Sequence, residues 1–329
     1  MKRGLLTFAQ TEDRETADMQ SGEEGCTLLR IPGTDGEAVV RCFRVFPGIT
    51  LQYHDVHAKS CIVCPETDSG VFEIRHCREG RMEGSDAERF YYMEPGDLAV
   101  CRPETGLHCR YYPLGHYHGV TIAVNVGQAP RCLSCFLDDV NVRPQLLMQK
   151  FCSSHDAFVA RSQPAVEHIF SELYAVPAEI RKGYFKVKVL ELLLFLSCID
   201  AGTGELSRRS CSNSQRELAR QVCRYLTAHM DSRITVEQLA SRFHVSATQI
   251  KAGVKSVYGA SLYSYIRMQK MESAAKLLRE TDLSVSEIAG RYGYDNASKF
   301  AGAFKAVMGM APKDYRNAPA DGAFRHHEK

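Results

Sequence analysis

Two periodicities divide this chain. Between about residue 25 and residue 126, β-branched and aromatic residues alternate or cluster in short runs, at 38–46, 70–76, 89–93, 98–101 and 119–125. Turn-forming residues separate the runs, among them Pro47 with Gly48, Glu79 with Gly80, and Pro95 with Gly96 and Asp97. Many short strands at close spacing predict a barrel or jelly roll rather than an alternating α/β sheet. From 142 to 199 the apolar period lengthens to that of a helix. Pro164 opens one helix, with Val166, Ile169, Phe170 and Leu173 on one face. A longer helix over 178–198 carries Tyr184, Val187, Leu190 and Leu194 on one side and Val189, Leu192, Phe195 and Leu196 on the other. A helix apolar nearly all round has to bury more than one face. Either one side packs on the barrel and the other on a partner subunit, or the whole helix is core.

Gly, Ser and Arg are frequent over 201–214, a composition that reads as a linker. Beyond it one helical pattern occurs twice. A shift of 49 lays Val236 on Val285, Leu239 on Ile288, Ala240 on Ala289 and Phe243 on Tyr292. One residue later, a shift of 50 lays Ile250 on Phe300, Val254 on Phe304, Lys255 on Lys305 and Gly259 on Gly309. A repeat this short is a duplicated small helical unit, and each copy predicts a helix-turn-helix.

In the first copy a support helix over 236–243 leads through His244 and Val245 to a second helix over 247–258, preceded by a helix over 215–229. Ser246 and Gln249 have capping-box spacing, as do Ser284 and Glu287 in the second copy. There the support helix covers 285–292, Gly293 begins the turn, and Asn296 or Asp295 caps the second helix. The apolar period turns Thr248, Lys251 and Lys255 outward on one recognition helix and Asn296, Ser298, Lys299 and Lys305 on the other. These seven are the candidate contacts to phosphates and base edges. A rod over 261–279 joins the units; at about 1.5 Å per residue it spans roughly 28 Å, close to the ~34 Å between successive major grooves on one face of DNA.

The predicted fold is therefore α+β in two domains. Residues 1–24 are polar and expected to be loosely ordered, 25–141 form the barrel, 142–200 the dimerisation helices and 201–214 the linker. An all-α domain with two helix-turn-helix units on a long helix occupies 215–316, and 317–329 form a tail. Charge follows this division. Residues 216–316 hold 16 Lys and Arg against 9 Asp and Glu, a net +7; with +2 for the whole chain, the remainder carries −5. Basic charge on the repeated part suits a polyanion partner. The N-terminus lacks a signal-peptide pattern and no apolar run reaches membrane-spanning length, so a cytoplasmic protein is expected. The 13 cysteines then read as free thiols or metal ligands rather than disulfides.

The run from Asp282 through Ile288, Ala289, Gly293, Phe300, Phe304, Lys305, Gly309 and Pro312 to Tyr315 and Arg316 resembles the signature of the AraC-type transcription regulators. The resemblance covers about a hundred residues, both units and the joining helix included. It implies two major-groove helices per subunit, promoter DNA as partner, frequent homodimerisation, a small-molecule effector held by an N-terminal sensor that is often cupin-like, and activation through contact with RNA polymerase. The sequence departs from the pattern at Ala252 and Gly302, where the family often has Arg, at Gly253, usually a larger apolar residue, and at Ala311, where Ser or Thr is common. More loosely, 113–119 and 188–196 are similar to the sensor regions of such regulators from clostridial-type bacteria.

The predicted barrel also resembles a cupin through its Pro95–Gly96–Asp97 turn. His54, His57, Tyr92, His116 and His118 are its candidate effector residues. His116 and His118, two apart, share a face if extended, the arrangement a cupin metal site requires. Cys61 with Cys64, and Cys132 with Cys135, are Cys-x-x-Cys pairs, but those on one extended strand face opposite ways. Buried cysteine as a small hydrophobe is the plainer reading, and the metal content is left open. No cofactor and no catalytic constellation are expected. The rival reading is a metal-dependent cupin enzyme using His54, His57, His116 and His118, or a thiol or metal sensor, fused to a DNA-binding domain. No Walker A or dinucleotide glycine motif is present.

Overall fold

Strand β4 (Ile49–His57) sets the plan of the N-terminal half, because its two faces meet different surroundings. Thr50, Gln52, His54 and Val56 line a cavity, while Ile49, Leu51 and Tyr53 lie under helices in the main apolar core. The computed structural model describes residues 18–21, 26–63, 70–86, 89–103, 108–133, 142–152, 158–160, 164–200, 211–230, 232 and 234–317. Two compact units divide the chain, 1–212 and 213–329.

In the first unit β1 (Asp18–Ser21), β2 (Cys26–Gly33), β3 (Gly36–Phe46), β4, β5 (Ser60–Val63), β6 (Val71–Gly80), β9 (Leu98–Cys101), β10 (His108–Tyr111), β11 (Tyr117–Asn125) and β12 (Phe158–Ala160) form one sheet. Its order is β10-β5-β2-β3-β4-β11-β6-β9-β12, with β1 on β2. Strands as far apart in that order as β10 and β6 line the same cavity, so the sheet curls round it. A smaller sheet holds β13 (Cys211–Ser212), β8 (Arg89–Met93) and β7 (Met82–Asp86). Helices α1 (Pro144–Phe151), α2 (Pro164–Tyr174) and α3 (Arg181–Cys198) contribute Leu147, Phe170, Val189, Leu192 and Leu196 to the core that also holds Leu51, Ile74 and Ile122. The Tyr53 hydroxyl donates to the Leu173 carbonyl at 2.6 Å, and the rings of Phe43 and Phe185 meet edge to face at 5.2 Å.

Several expectations change here. Residues 18–21, expected to be loose, are a strand because β2 offers them a ladder; residues 1–17 and 22–24 lie outside the described residues. The stretch expected to be helical throughout contains β12, which pairs with β9; a run of three apolar residues carries no period of its own, and an available sheet edge decides it. One turn of 3-10 helix (Ala178–Ile180) precedes α3. Of the expected linker, 201–210 lie outside the described residues, 211–212 pair with β8, and 213–214 already belong to the next helix. The final helix runs through Asn317, and the rest of the expected tail, 318–329, lies outside the described residues. The two flanks of α3 differ: Val189, Leu192 and Leu196 are buried, whereas Val187 is 61% and Leu194 39% exposed. Lys188, buried on the same helix, is held by the carboxylates of Glu172 and Glu191.

The second unit contains α4 (Asn213–Ala228), α5 (Val236–Phe243), α6 (Ala247–Tyr258), α7 (Leu262–Glu280), α8 (Val285–Arg291), α9 (Ala297–Met308) and α10 (Pro312–Asn317). Capping boxes start α5 at Thr235 with Gln238, α6 at Ser246 with Gln249, and α8 at Ser284 with Glu287. Each closes two otherwise orphaned backbone donors. Gly259 ends α6 at φ 74° and Gly309 ends α9 at φ 79°, the left-handed geometry that a side chain disfavours. Ile250, Val254, Phe300 and Phe304 are fully enclosed. On α7 the buried sulfur is Met271, with Met268 only half-buried, because Tyr265, Met271, Ala275 and Leu278 follow the helical period more closely.

Candidate functional site

The repeat places two helices, α6 and α9, in equivalent settings. On α6 Thr248, Lys251, Ala252 and Lys255 are exposed; on α9 Ser298, Lys299, Gly302 and Lys305 are exposed. In both cases the opposite face is anchored by buried residues spaced four apart, so a rigid helix presents an outer strip of small and basic side chains. None of Lys251, Lys255, Lys299 and Lys305 joins an ion pair among the described residues. Asn296 is exposed and caps α9, its Oδ1 accepting from the Ser298 backbone N–H at 2.7 Å. That settles Asn296 over Asp295 as the cap, and leaves the Asn296 amide NH2 as the part of this side chain open to a partner.

Four other basic residues in this unit make internal contacts. The Lys270 ammonium donates to the Tyr292 carbonyl at 2.9 Å. Arg316 donates to the carbonyls of Leu278 and Leu283, closing the end of α7. Arg242 and Arg279 lie over the rings of Tyr225 and Tyr315, at 4.2 and 4.6 Å. The lysines of α6 and α9, by contrast, face solvent.

Residues 239–318 match a family model described as a helix-turn-helix domain. The chain is 34% identical over 99 residues to the HTH-type transcriptional regulator YdiP of Escherichia coli strain K12, across 30% of this chain and 33% of that protein. It is 38% identical over 85 residues to a putative AraC-like transcription regulator of Streptomyces lividans, across 26% of this chain and 28% of that one. Residues 239–318 are a helix-turn-helix domain, similar in sequence to AraC-like regulators. Among solved structures, the C-terminal domain of AraT, a response regulator from Geobacillus stearothermophilus, is 32% identical, covering 34% of this chain and 94% of that domain with a TM-score of 0.30. The chain spans about a third of the length of the two curated relatives, and the resemblance of the helix-turn-helix domain leaves the N-terminal unit to be read from its own geometry.

That geometry separates the residues expected to share a sensor site. The cavity, about 140 Å³, is apolar at Leu29, Ile31 and Val40 and polar at Gln52, His54, Glu73 and Arg110. Of the five candidates only His54 lines it. Burial, aided by the charge of Arg110, pushes the His54 ring down to about 3, so it is neutral, and its Nε2 has no hydrogen-bond partner among the described residues. Burial works against the charge of Glu73, yet Arg75 and Arg110 outweigh it and its carboxyl lies below the usual range. Arg75 grips that carboxylate at 2.6 and 2.7 Å. The pair is neutral together, leaving Arg110 as the cavity's net charge.

His57 and His118 lie on the other face of the sheet. His54 and His57 are three apart on one strand, and an odd spacing sends side chains to opposite faces. The His57 Nε2 stands 3.0 Å and the His118 Nδ1 3.3 Å from one oxygen of Asp55. His116 precedes β11 and is half-buried. Tyr92 belongs to the small sheet, buried, its hydroxyl donating to Glu83 at 2.6 Å beneath the guanidinium of Arg81. The four histidines of the enzyme reading therefore do not converge on one centre. Cys61 is buried against the cavity, its thiol pushed up to about 11 by burial; its partner Cys64, like Cys135, lies outside the described residues. Gln52, Glu73 and Arg110 were not singled out from the sequence, since polar residues alternating on a strand read as a solvent face.

Proposed function

We propose that this chain is a cytoplasmic bacterial regulator that binds promoter DNA through α6 and α9 and changes its DNA-binding behaviour when a small molecule occupies the N-terminal cavity. The observation that carries the reading is the duplicated strip of small and basic residues, with no ion pair to its lysines among the described residues, on a helix-turn-helix domain. Thr248, Lys251, Lys255, Asn296, Ser298, Lys299 and Lys305 form the contact surface, with the lysines neutralising phosphates and the shorter side chains reaching base edges. No helix among the described residues is long and apolar enough to cross a membrane, in keeping with this role.

The cavity suits an organic effector of modest size, with an apolar body against Ile31 and Val40 and an anionic or acceptor group toward Arg110. Neutral His54 supplies a further hydrogen bond. For such a molecule to act as effector it must bind one arrangement of the chain more tightly than another. The exposed flank of α3, with Val187 and Leu194, serves a second copy of the chain, and activation proceeds by contact with RNA polymerase. Gel retardation with fragments from around its own gene tests the core of the reading. One fragment is retarded selectively at physiological salt, and Lys255→Ala with Lys305→Ala abolishes the retardation. Equal retardation of all fragments, or no effect of the two substitutions, refutes it.

A further inference from the structure

The Asp55, His57 and His118 cluster has no part in the cavity. Its donor atoms, one oxygen and two imidazole nitrogens, all lie within 4.8 Å of one another. The sheet builds this convergence. Asp55 and His57 are two apart on β4 and share a face, and β11 places His118 directly opposite Asp55 in the register. On its other side His118 pairs in register with Glu79 of β6, a second carboxylate beside the three. The rings of His57 and His118 stand 5.2 Å apart at 71°, so they converge without stacking.

We propose that these three side chains form a binding site for a divalent transition ion of the zinc class on the outer face of the curled sheet. Metal–nitrogen and metal–oxygen bonds of about 2.0–2.1 Å in tetrahedral geometry place neighbouring donor atoms roughly 3.3 Å apart. The separations of 3.0 and 3.3 Å from Asp55 to the two rings match that spacing. Two imidazoles and one carboxylate suit zinc, cobalt or nickel, whereas magnesium and calcium take all-oxygen sets. Partial exposure of the cluster, with side chains 31–50% accessible, gives an ion an entry path and leaves a coordination position for water. Arg78, the nearby cation, lies 4.6 Å over the Tyr174 ring with its Nε 3.9 Å from the Glu79 carboxylate, so Glu79 answers that charge. The site is back to back with the cavity, since Asp55 and His57 alternate along one strand with His54 and Val56.

Cobalt is the probe, because its visible absorption reports the donor set. The full chain, stripped with chelator, is titrated with cobalt chloride and then with zinc chloride. One cobalt per chain gives a visible band without sulfur charge transfer, and zinc bleaches it. In the His57→Ala, His118→Ala double variant the affinity falls at least roughly 100-fold, beyond the tenfold to 100-fold cost of losing an outer-shell partner, with the circular dichroism unchanged. Should that variant lose its fold, His118→Gln and Asp55→Asn, each replacing a strong donor by a weakly ligating amide, each lower the affinity by a smaller factor. A wild-type chain that takes up no cobalt overturns the proposal. So does a band with sulfur charge transfer, or one that survives these substitutions in a folded protein, because the ion would then sit elsewhere. Gel retardation is no readout here, so the outcome is independent of the DNA-binding proposal.

Discussion

Lys255 and Lys305 occupy equivalent places fifty positions apart, each four residues before the glycine that ends its helix. The Gly259 N–H donates to the Lys255 carbonyl and the Gly309 N–H to the Lys305 carbonyl, both at 2.9 Å. The backbone of each lysine is thus fixed by its helix end while the side chain projects into solvent. If both contact phosphates, replacing either by Ala weakens DNA binding to a similar degree on every sequence. Each substitution also reduces the slope of log affinity against log salt by about 0.9. Binding isotherms at several salt concentrations check this, and an unaltered slope removes the residue from the interface.

Gly302 is exposed on α9, with nothing within 4 Å of an added Cβ. Gly302→Arg introduces no clash, removes an interior glycine that costs roughly 1 kcal/mol against Ala, and offers a guanidinium on the outer strip. We expect tighter DNA binding together with a higher melting temperature. A variant that melts higher yet binds no better separates the helix effect from the contact.

Gly253 is buried where α6 passes α4. A Cβ there lies 3.4 Å from the Gln215 carbonyl oxygen and 3.7 Å from the Ala219 methyl, which is ordinary van der Waals contact. Gly253→Ala should stabilise the domain by up to about 1 kcal/mol, the difference between the two residues inside a helix. Chemical denaturation measures it, and a loss of stability would mean that the two helices need a closer approach.

Glu287 is the one acid among the three capping boxes, the other two using Gln238 and Gln249. Hydrogen bonds from Ser284 hold its carboxyl below the usual range. Its folded pKa is lower than the unfolded one, so its contribution is complete above the unfolded value and disappears as pH falls through the folded one. Acid should loosen the second helix-turn-helix before the first. Glu287→Gln, which preserves both hydrogen bonds, should remove that part of the pH dependence; thermal melts between neutral pH and pH 3 compare the two proteins.

The helix-turn-helix pair was legible in the residues because its determinants are local. A serine or threonine three residues before Gln or Glu, an apolar residue every third or fourth place, and a glycine at the end of α6 and of α9 specify short helices from within their own span. Duplication made the pattern readable twice, and Phe300, Phe304, Ile250 and Val254 are enclosed as their spacing requires.

The N-terminal unit obeyed a different rule. Residues 49–57 are not among the runs that predict a strand, and even along a recognised strand a period of two does not say which face is the interior. The polar set Thr50, Gln52 and His54 looks inward to a cavity, and the apolar set Ile49, Leu51 and Tyr53 lies outward beneath α2 and α3. Only the curl of the sheet and the helices laid on its outer side decide that assignment. The same non-local pairing of β4 with β11 brings His118 to Asp55 across more than sixty residues of chain, a meeting no spacing in the sequence records.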